Sequence, residues 1–387
     1  MSVVVIGASL AGFSLVRELR ERGYGESITV VGDEVHAPYD RPPLSKEFLR
    51  DEVDLTLGTI GDDPGTRWIL GHRAVEINRA TAGPGVTLDD GTVVTGRSLV
   101  LATGARARPL PGAPALDGIH TLRTVDDARA IRASLRAARA VVIVGAGLIG
   151  SEIASTAAAL GAQVTVVELA AAPLAGVFGP LLGALCADLH AANGVHLRTG
   201  VAVAEFRGRG RVEAVRLTDG TVMPADTVIV GIGATPNTEW AQHPGLRIDN
   251  GFLTDSRCRT SIPGIYAIGD CARAYHDALG GHHRSEHWSN ATAQARIAAA
   301  AVLGAPADRA PTAYFWSKQY GHMIQFAGKH RAGDTLRFLD GDPSAPSCTA
   351  LYERDGEPVA VFAIDNARLF TRYRKQIERR PAAVAAP

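Results

Sequence analysis

Two glycine-rich turns of the same design constrain this chain most, because each follows an apolar run and precedes a helical pattern. The first is Gly7-Ala8-Ser9-Leu10-Ala11-Gly12 and the second is Gly145-Ala146-Gly147-Leu148-Ile149-Gly150. In such turns the glycines permit a tight bend, and the following helix presents free N–H groups and its positive dipole end to a pyrophosphate. One departure is Ser9, which occupies the middle glycine position of the first turn. The duplication predicts two bound dinucleotides.

Each turn has an apolar strand before it and an acidic residue after it. The strands at 3–6 and 141–144 are β-branched and apolar throughout, which is typical of buried parallel strands. Asp33 and Glu168 each follow the next strand, at about the 20-residue offset where an acid binds a ribose hydroxyl pair. Glu168 repels a 2′-phosphate, and residues 169–173 contain no arginine to hold one. The second site is therefore predicted to take NADH rather than NADPH.

Composition argues against several other functions. The chain has 387 residues, and its 40 Lys and Arg balance its 40 Asp and Glu, so no net charge attracts nucleic acid or an anionic membrane. The first strand begins at Val3, so we expect no signal peptide, and no apolar stretch reaches the length of a membrane span without a break. These features predict a cytoplasmic protein that binds neither nucleic acid nor membrane.

Cysteine spacing gives a further constraint. None of the four cysteines forms a close pair with another: Cys186, Cys258, Cys271 and Cys348. A disulfide framework, a zinc site or a cysteine-ligated cluster is therefore not expected. The chain also lacks the redox-active cysteine pair that disulfide reductases hold beside their flavin. The histidines of segment 276–287 have no Cys or carboxylate set at ligand spacing, so no metal is predicted.

Strands that end in glycine, followed by proline-rich connections, indicate where the chain divides into domains. The strand pattern at 99–104 ends a first unit, and prolines at 109, 111 and 114 mark the connection that follows. We predict an α/β fold with two Rossmann-type dinucleotide-binding domains and a C-terminal α+β domain. The predicted boundaries are 1–112 with 241–311 for a discontinuous first nucleotide domain, 113–240 for the second, and 312–387 for the C-terminal domain.

The string Pro38-Tyr39-Asp40-Arg41-Pro42-Pro43-Leu44-Ser45-Lys46 is the most specific in the chain. It resembles the signature of the FAD-dependent NADH:ferredoxin reductases, a family that includes putidaredoxin reductase and rubredoxin reductase and is related to apoptosis-inducing factor. The resemblance spans nearly the whole chain, through both glycine turns and segments 102–104, 122–124, 266–270, 286–291 and 314–320. It implies a glutathione-reductase-like fold in which the first nucleotide domain binds FAD and the second binds NADH.

The resemblance also implies which residues hold the cofactors. Those expected at FAD are Gly7, Ser9, Ala11, Gly12, Asp33, Arg41, Lys46, Thr103, Gly104, Arg123, Asp270 and Trp288. Those expected at NADH are Gly145, Gly147, Leu148, Ile149, Gly150, Glu152, Glu168 and Gly233. Within the first set, Asp33 would bind the adenosine ribose, Arg41 the phosphate region and Asp270 a ribityl hydroxyl.

Three residues are expected to act in catalysis: Lys46, Glu152 and Trp316. A cation such as Lys46 or Arg123 near the flavin favours the negative charge of the reduced ring. Glu152 would face the flavin, and we expect it to pair with Lys46 because burying either charge alone is costly. Trp316 matches the family position between the flavin edge and a docked ferredoxin, where it would either shorten the electron's path or only pack in the interface.

The expected activity is that of an NADH:ferredoxin oxidoreductase, in which hydride passes to flavin N5 and electrons then leave singly. The partner would be an iron–sulfur ferredoxin, of [2Fe–2S] or similar type, that serves a cytochrome P450 or a Rieske-type dioxygenase. A rubredoxin reductase, an NADH oxidase and a redox-sensing interaction flavoprotein are the alternatives. Both a monomer and a homodimer are compatible with the sequence.

One surface departs from the family pattern. Lys318 stands where relatives commonly carry an acid. With Arg309, Lys329, His330 and Arg331 it would either steer an acidic ferredoxin or form an ordinary solvated face.

Overall fold

The structure, a computed structural model, describes residues 2–80, 83–306, 310–342, 345 and 347–379. The elements before residue 110 are β1 (Val3–Ile6), α1 (Leu10–Glu21), β2 (Ile28–Gly32), α2 (Glu47–Arg50), β3 (Thr66–Leu70), β4 (Ala74–Ala80), β5 (Gly83–Leu88), β6 (Val93–Thr95), β7 (Ser98–Leu101) and β8 (Ala105–Ala107). Those that follow up to residue 240 are β9 (Ile119–Thr121), α3 (Val125–Ala137), β10 (Ala140–Val144), α4 (Leu148–Ala159), β11 (Gln163–Glu168), α5 (Ala175–Phe178), α6 (Pro180–Ala192), β12 (His196–Thr199), β13 (Val203–Arg207), β14 (Ala214–Leu217), β15 (Val222–Pro224), β16 (Thr227–Val230) and β17 (Ala234–Pro236).

The remaining elements complete the first unit and build the C-terminal one. They are β18 (Phe252–Thr254), β19 (Ile265–Ala267), β20 (Ala272–His276), β21 (Gly281–His283), α7 (Trp288–Val302), β22 (Tyr314–Gln319), β23 (His322–Gly328), β24 (Thr335–Asp340), β25 (Cys348–Arg354), β26 (Glu357–Ile364) and α8 (Ala367–Glu378).

The two apolar strands that precede the glycine turns each lie in the middle of a five-stranded parallel sheet. Strand β1 pairs with β2 and β7, in the order β3-β2-β1-β7-β19, and β10 pairs with β11 and β16, in the order β12-β11-β10-β16-β9. Every residue of β1 is buried, as the continuous apolar run predicts. The glycine turns leave the carboxyl ends of these central strands, which is where open parallel sheets bind ligands.

A late segment returns to the first sheet. Strand β19 pairs with β7, and the alanine-rich helix α7 packs against α1 through a shared apolar core. Strands β8 and β17 pair antiparallel and join the two nucleotide-type units. The first sheet is thus built from chain segments that come both before and after the second nucleotide-type unit in the sequence.

The C-terminal unit is an antiparallel sheet, β22-β23-β26-β25-β24, with α8 packed on it. Phe178, from the end of α5, inserts among Phe315, Phe326 and Phe362 of this sheet with ring centroids 5.1–5.8 Å apart. The sheet is therefore anchored on the second nucleotide-type unit. This architecture confirms the predicted fold class of two Rossmann-type units and a C-terminal α+β unit.

The four cysteines are buried and unpaired. Burial raises the pKa of Cys186 to about 12 and that of Cys348 to about 11, so both thiols stay protonated. Among the described helices, none is both long enough and apolar enough to cross a membrane.

Candidate functional site

The first glycine turn is shaped by close backbone contacts. Gly7 has a φ of +122°, and a Cβ there would lie 2.0 Å from the carbonyl oxygen of Ala102. A Cβ on Gly12 would lie 2.0 Å from Gly7 O. Ser9 makes no capping bond to α1, and its hydroxyl instead accepts a hydrogen bond from Arg41 Nε at 3.1 Å. The free N–H groups at the start of α1 are left for a ligand.

A cavity of about 590 Å³ begins at this turn and runs past the carboxyl ends of β1, β2 and β7. The predicted FAD-binding residues on its wall are Gly7, Ser9, Asp33, Arg41, Thr103, Gly104 and Arg123. Gly12 lies behind the turn, where it lets α1 approach the strand.

A second cavity, of about 220 Å³, shares Ser9, Arg41, Ala102, Gly104 and Arg123 with the first. The other predicted residues on its wall are Ala11, Lys46, Leu148, Ile149, Glu152, Asp270, Trp288 and Trp316. The two glycine turns and the C-terminal sheet therefore meet around one continuous space.

Arg41 lies where the two cavities join. Its Nη2 is 2.6 Å from Glu34 Oε1, and its Nη1 donates to the carbonyl oxygen of Arg123 at 2.5 Å. The hydroxyl of Tyr39 donates to the other oxygen of Glu34, and the Tyr39 ring packs under the guanidinium at 5.0 Å. Burial raises the pKa of Tyr39, so the phenol remains a donor to the carboxylate.

Sequence reasoning missed Glu34. It singled out Asp33, which lies on the cavity wall but whose side chain is 59% exposed and 3.7 Å from Arg73 Nη2. Both acids follow β2 directly, so spacing alone does not distinguish them. The signal available was Arg41 itself, because a buried guanidinium requires a carboxylate partner.

The expected ion pair between Lys46 and Glu152 is present. Lys46 Nζ lies 2.6 Å from Glu152 Oε2, and both side chains are largely buried. Lys46 also donates to the carbonyl oxygen of Pro42 at 2.7 Å, while Ser45 donates to Glu152 Oε2. The pair is thus fixed between the start of α4 and the segment before α2, on the wall of the second cavity.

A second ion pair closes the same space from the other side. Arg123 Nη2 lies 2.8 Å from Asp270 Oδ2, with the aspartate side chain mostly buried. The turn that carries Asp270 is held by Gln294 of α7, whose Oε1 accepts from the Gly269 N–H at 2.7 Å. The predicted residues Arg123 and Asp270 are therefore brought together.

The second glycine turn repeats the geometry of the first. Gly145 has a φ of +102°, and a Cβ there would lie 2.4 Å from Gly231 O. At Gly147, by contrast, a Cβ would have Gly231 O at 4.0 Å as its nearest neighbour, so its outer side is open to a ligand. Gly150 packs on Gly145 as Gly12 packs on Gly7. Each turn is a backbone cradle that fits a pyrophosphate.

Glu168 lies at the end of β11, beside this second turn. Its Oε2 accepts from the Ala146 N–H and its Oε1 from the Ala170 N–H, both at 2.7 Å. The carboxylate therefore joins the glycine turn to the loop after β11. The predicted NADH residue Gly233 lies in the exposed loop after β16, where it has a φ of +100°.

Aromatic rings form the wall between the second cavity and the surface. Trp288 donates through Nε1 to Asp40 Oδ1 at 2.9 Å and meets Trp316 edge-on, with centroids 6.2 Å apart. Trp316 in turn stacks on Tyr314 at 5.7 Å. His287, which sequence reasoning treated only as part of a family string, stacks on the C-terminal sheet, and burial lowers its pKa to about 4.

The basic residues noted near the C-terminal sheet have separate partners. Lys318 Nζ lies 3.6 Å from Glu47, with more than half of both side chains exposed. Lys329 contacts His283 and His330 stacks on a tyrosine of the same sheet. Arg309 lies outside the described residues.

The described residues also contain a surface group, His72, Asp89 and Asp90, whose ligand atoms are within reach of one ion. Asp89 and Asp90 lie on the turn between β5 and β6, and His72 follows the C-terminal end of β3. Exposed acidic groups of this kind are common without a bound ion.

Comparison with known proteins agrees with this geometry. Residues 1–295 match the family model described as pyridine nucleotide-disulphide oxidoreductase, and residues 314–386 match that described as reductase C-terminal. The chain is 39% identical to rhodocoxin reductase of Rhodococcus erythropolis over 343 residues, which covers 87% of this chain and 80% of that protein.

Two further matches cover nearly the full length. The anthranilate 1,2-dioxygenase system ferredoxin–NAD(+) reductase component of Burkholderia cepacia is 37% identical, over 94% of this chain and 91% of its own. The crystal structure of the covalent putidaredoxin reductase–putidaredoxin complex matches with a TM-score of 0.94 and 35% identity, over 98% of this chain and 94% of that one.

Proposed function

The chain belongs to the pyridine nucleotide-disulphide oxidoreductase family, among its ferredoxin reductases with a reductase C-terminal domain, and on this basis we propose that it transfers electrons from NADH through FAD to an iron–sulfur ferredoxin. That ferredoxin would serve an oxygenase, either a cytochrome P450 or a Rieske-type dioxygenase. The relatives named above include one component of a dioxygenase system and one reductase joined to its ferredoxin partner.

The observation that carries the proposal is the position of the Lys46–Glu152 pair. It lies on the wall of the cavity in which the two glycine turns meet, so a ligand held by each turn would bring its reactive end to this pair. The redox chemistry would come from bound FAD, which accepts a hydride from NADH and gives up two electrons one at a time. Hydride transfer needs no general acid or base, so the role of the pair is to orient the rings and set the local charge.

The binding roles proposed for single residues follow from their surroundings. Arg41 would present a half-buried cation to the phosphate region, and Asp270 would present a carboxylate to the ribityl chain. Glu168 offers its carboxylate to the ribose of NADH beside the second turn. The remaining members of the two predicted sets line the same cavities or form the glycine turns, except Gly233, which lies in the exposed loop after β16.

The route out to the ferredoxin is proposed through the aromatic wall. Trp316 lies between the second cavity and the outer face of the C-terminal sheet, in contact with Trp288 and Tyr314. We also propose the domain division 1–112 with 241–311, 113–240 and 312–387, since each range holds one main sheet. A cytoplasmic location is proposed because NADH is the donor and the cysteines are unpaired.

Anaerobic stopped-flow spectroscopy of the FAD-loaded protein tests this function. Reduction by NADH, but not by NADPH, followed by reoxidation on adding a [2Fe–2S] ferredoxin, is the expected result. Lys46→Gln and Glu152→Gln are expected to slow reduction, whereas Lys375→Gln, on the exposed side of α8, is the matched control. A reduced flavin that persists as a charge-transfer complex and is not reoxidised by ferredoxin, rubredoxin or oxygen would show that the protein does not pass electrons from NADH to an acceptor.

A further inference from the structure

Helix α4 is held on one side by the hairpin of β22 and β23. Ser317 donates from Oγ to Glu152 Oε1 at 2.6 Å, and the Tyr320 N–H donates to Ser155 Oγ at 2.7 Å. These contacts join the C-terminal sheet to the helix that carries Glu152. Ser317 is fully buried and absent from the cavity walls, so it reaches the second cavity only through the carboxylate.

The direction of the hydrogen bonds around Ser317 follows from chemistry. An ionised carboxylate only accepts, so the single hydroxyl proton of Ser317 is committed to Glu152. Gln319 must then approach Ser317 as a donor, and its Nε2 does lie 3.0 Å from Ser317 Oγ. This orientation leaves Gln319 Oε1 buried without a partner, within the described residues. An orphaned buried oxygen is unfavourable, so the chain retains this arrangement at some expense of stability.

We propose that Ser317, supported by Gln319, is a positioning residue for the Lys46–Glu152 pair and keeps the Glu152 carboxylate oriented and its negative charge compensated beside the flavin. The inference rests on the proposed function, since it concerns the same cavity. Among the described residues, Lys46 and Ser45 donate to Glu152 Oε2, whereas Ser317 donates to Oε1. Ser317 also follows Trp316 directly in β22. The strand that carries the proposed electron-exit residue therefore also carries the residue that positions the ion pair.

Removing the hydroxyl changes the carboxylate in a defined way. Without Ser317 the Glu152 carboxylate loses the donor at Oε1, so its negative charge is less compensated and its orientation less fixed. A less compensated negative charge disfavours further negative charge on a nearby flavin.

The test compares Ser317→Ala with Thr349→Val in the FAD-loaded protein. Thr349 is a fully buried residue of the same sheet whose hydroxyl finds no partner in the part of the chain that the structure describes, so its loss imitates the packing change without touching Glu152. At pH 8, Ser317→Ala is expected to lower the midpoint potential of bound FAD and to slow reduction by NADH roughly ten-fold. Thr349→Val should match the unmodified protein in both measurements.

A second variant keeps the test decisive if Ser317→Ala fails to hold FAD. Gln319→Leu leaves Ser317 in place but removes its supporting donor, and the same two changes, in midpoint potential and in reduction rate, are expected with smaller size. If every variant that still binds FAD matches Thr349→Val in both midpoint potential and reduction rate, the proposal is wrong. The potential is measured by photoreduction against a reference dye, so the test holds even if NADH proves not to be the donor, which would count against the proposed function alone.

Discussion

Arg41 is held by Glu34 and not by Asp33: the guanidinium Nη2 lies 2.6 Å from Glu34 Oε1, whereas Asp33 faces the exposed Arg73. This arrangement places a half-buried cation where the two cavities join, with its charge offset by one carboxylate. A phosphate that reaches the cavity would find a guanidinium already oriented by Glu34, Ser9 and the backbone. Little reorganisation of the protein would then accompany binding.

Arg41→Ala is therefore expected to raise the dissociation constant for FAD by at least roughly ten-fold, because it removes a charged donor and leaves the half-buried Glu34 without its cation. Titrating FAD into the apoprotein, followed by the quenching of flavin fluorescence, measures the change. Arg207→Ala is the control, since the Arg207–Glu205 pair is exposed and both residues lie outside the two cavities. Equal losses in the two variants would contradict a special role for Arg41.

Sequence reasoning recovered the parts of this site that depend on local pattern. The glycine turns, the strands before them and the Lys46–Glu152 pair followed from short strings and from the rule that a buried charge needs a partner. Glu34 was missed because two adjacent acids give the same spacing signal. Ser317 was missed because its contact with Glu152 joins residues 165 positions apart, and no local periodicity encodes which strand of the C-terminal sheet meets α4.

Glu168 offers a test of nucleotide preference. Glu168→Ala is expected to lower kcat/KM for NADH roughly ten- to hundred-fold, because the ribose loses an acceptor and the turn loses the bonds to Ala146 and Ala170. The value for NADPH should fall less, since the charge that repels its 2′-phosphate is gone. Steady-state rates with an artificial acceptor measure both. Glu168→Gln keeps an acceptor oxygen, so its kcat/KM for NADH should lie between those of Glu168→Ala and the unmodified protein. If the ratio of kcat/KM for NADH to that for NADPH is unchanged in both variants, Glu168 is not the residue that sets the specificity.

His190 makes the fold sensitive to acid. Its Nδ1 lies 2.6 Å from the Tyr320 hydroxyl and its Nε2 lies 3.3 Å from the Ser151 hydroxyl, in the contact between α6, α4 and the C-terminal hairpin. Burial lowers the pKa of His190 from 6.5 to about 4. As the pH falls, His190 is therefore protonated in the unfolded chain before it is protonated in the folded one. The stability that the neutral, buried His190 contributes is complete above pH 6.5 and is lost as the pH falls from 6.5 towards 4. The difference corresponds to about 3 kcal/mol.

His190→Phe is accordingly expected to unfold at lower denaturant concentration than the unmodified protein at pH 7.5, because two buried hydroxyls lose their partner. Between pH 7.5 and 5 it should lose less stability than the unmodified protein does. Denaturant unfolding of the FAD-loaded protein at the two pH values measures this. His196→Gln, at an exposed position of β12, should keep the full pH dependence. A parallel loss in His190→Phe would assign the acid sensitivity to other groups, such as the buried His287, whose pKa is lowered in the same direction.

Lys318 tests whether the surface beside the aromatic wall receives the ferredoxin. Its side chain is 57% exposed and its ammonium is only loosely paired with Glu47 at 3.6 Å, so its charge is available to an approaching partner. Lys318→Glu is expected to slow association with an acidic [2Fe–2S] ferredoxin roughly ten-fold at low salt and to weaken the dependence of that rate on ionic strength. Flavin reduction by NADH should not change, because Lys318 lies outside both cavities. Arg337→Glu, on strand β24 at the other edge of the same sheet, changes charge equally and is the control. Stopped-flow reoxidation at several salt concentrations measures both, and an equal effect of the two variants would mean that overall charge, and not this face, guides the encounter.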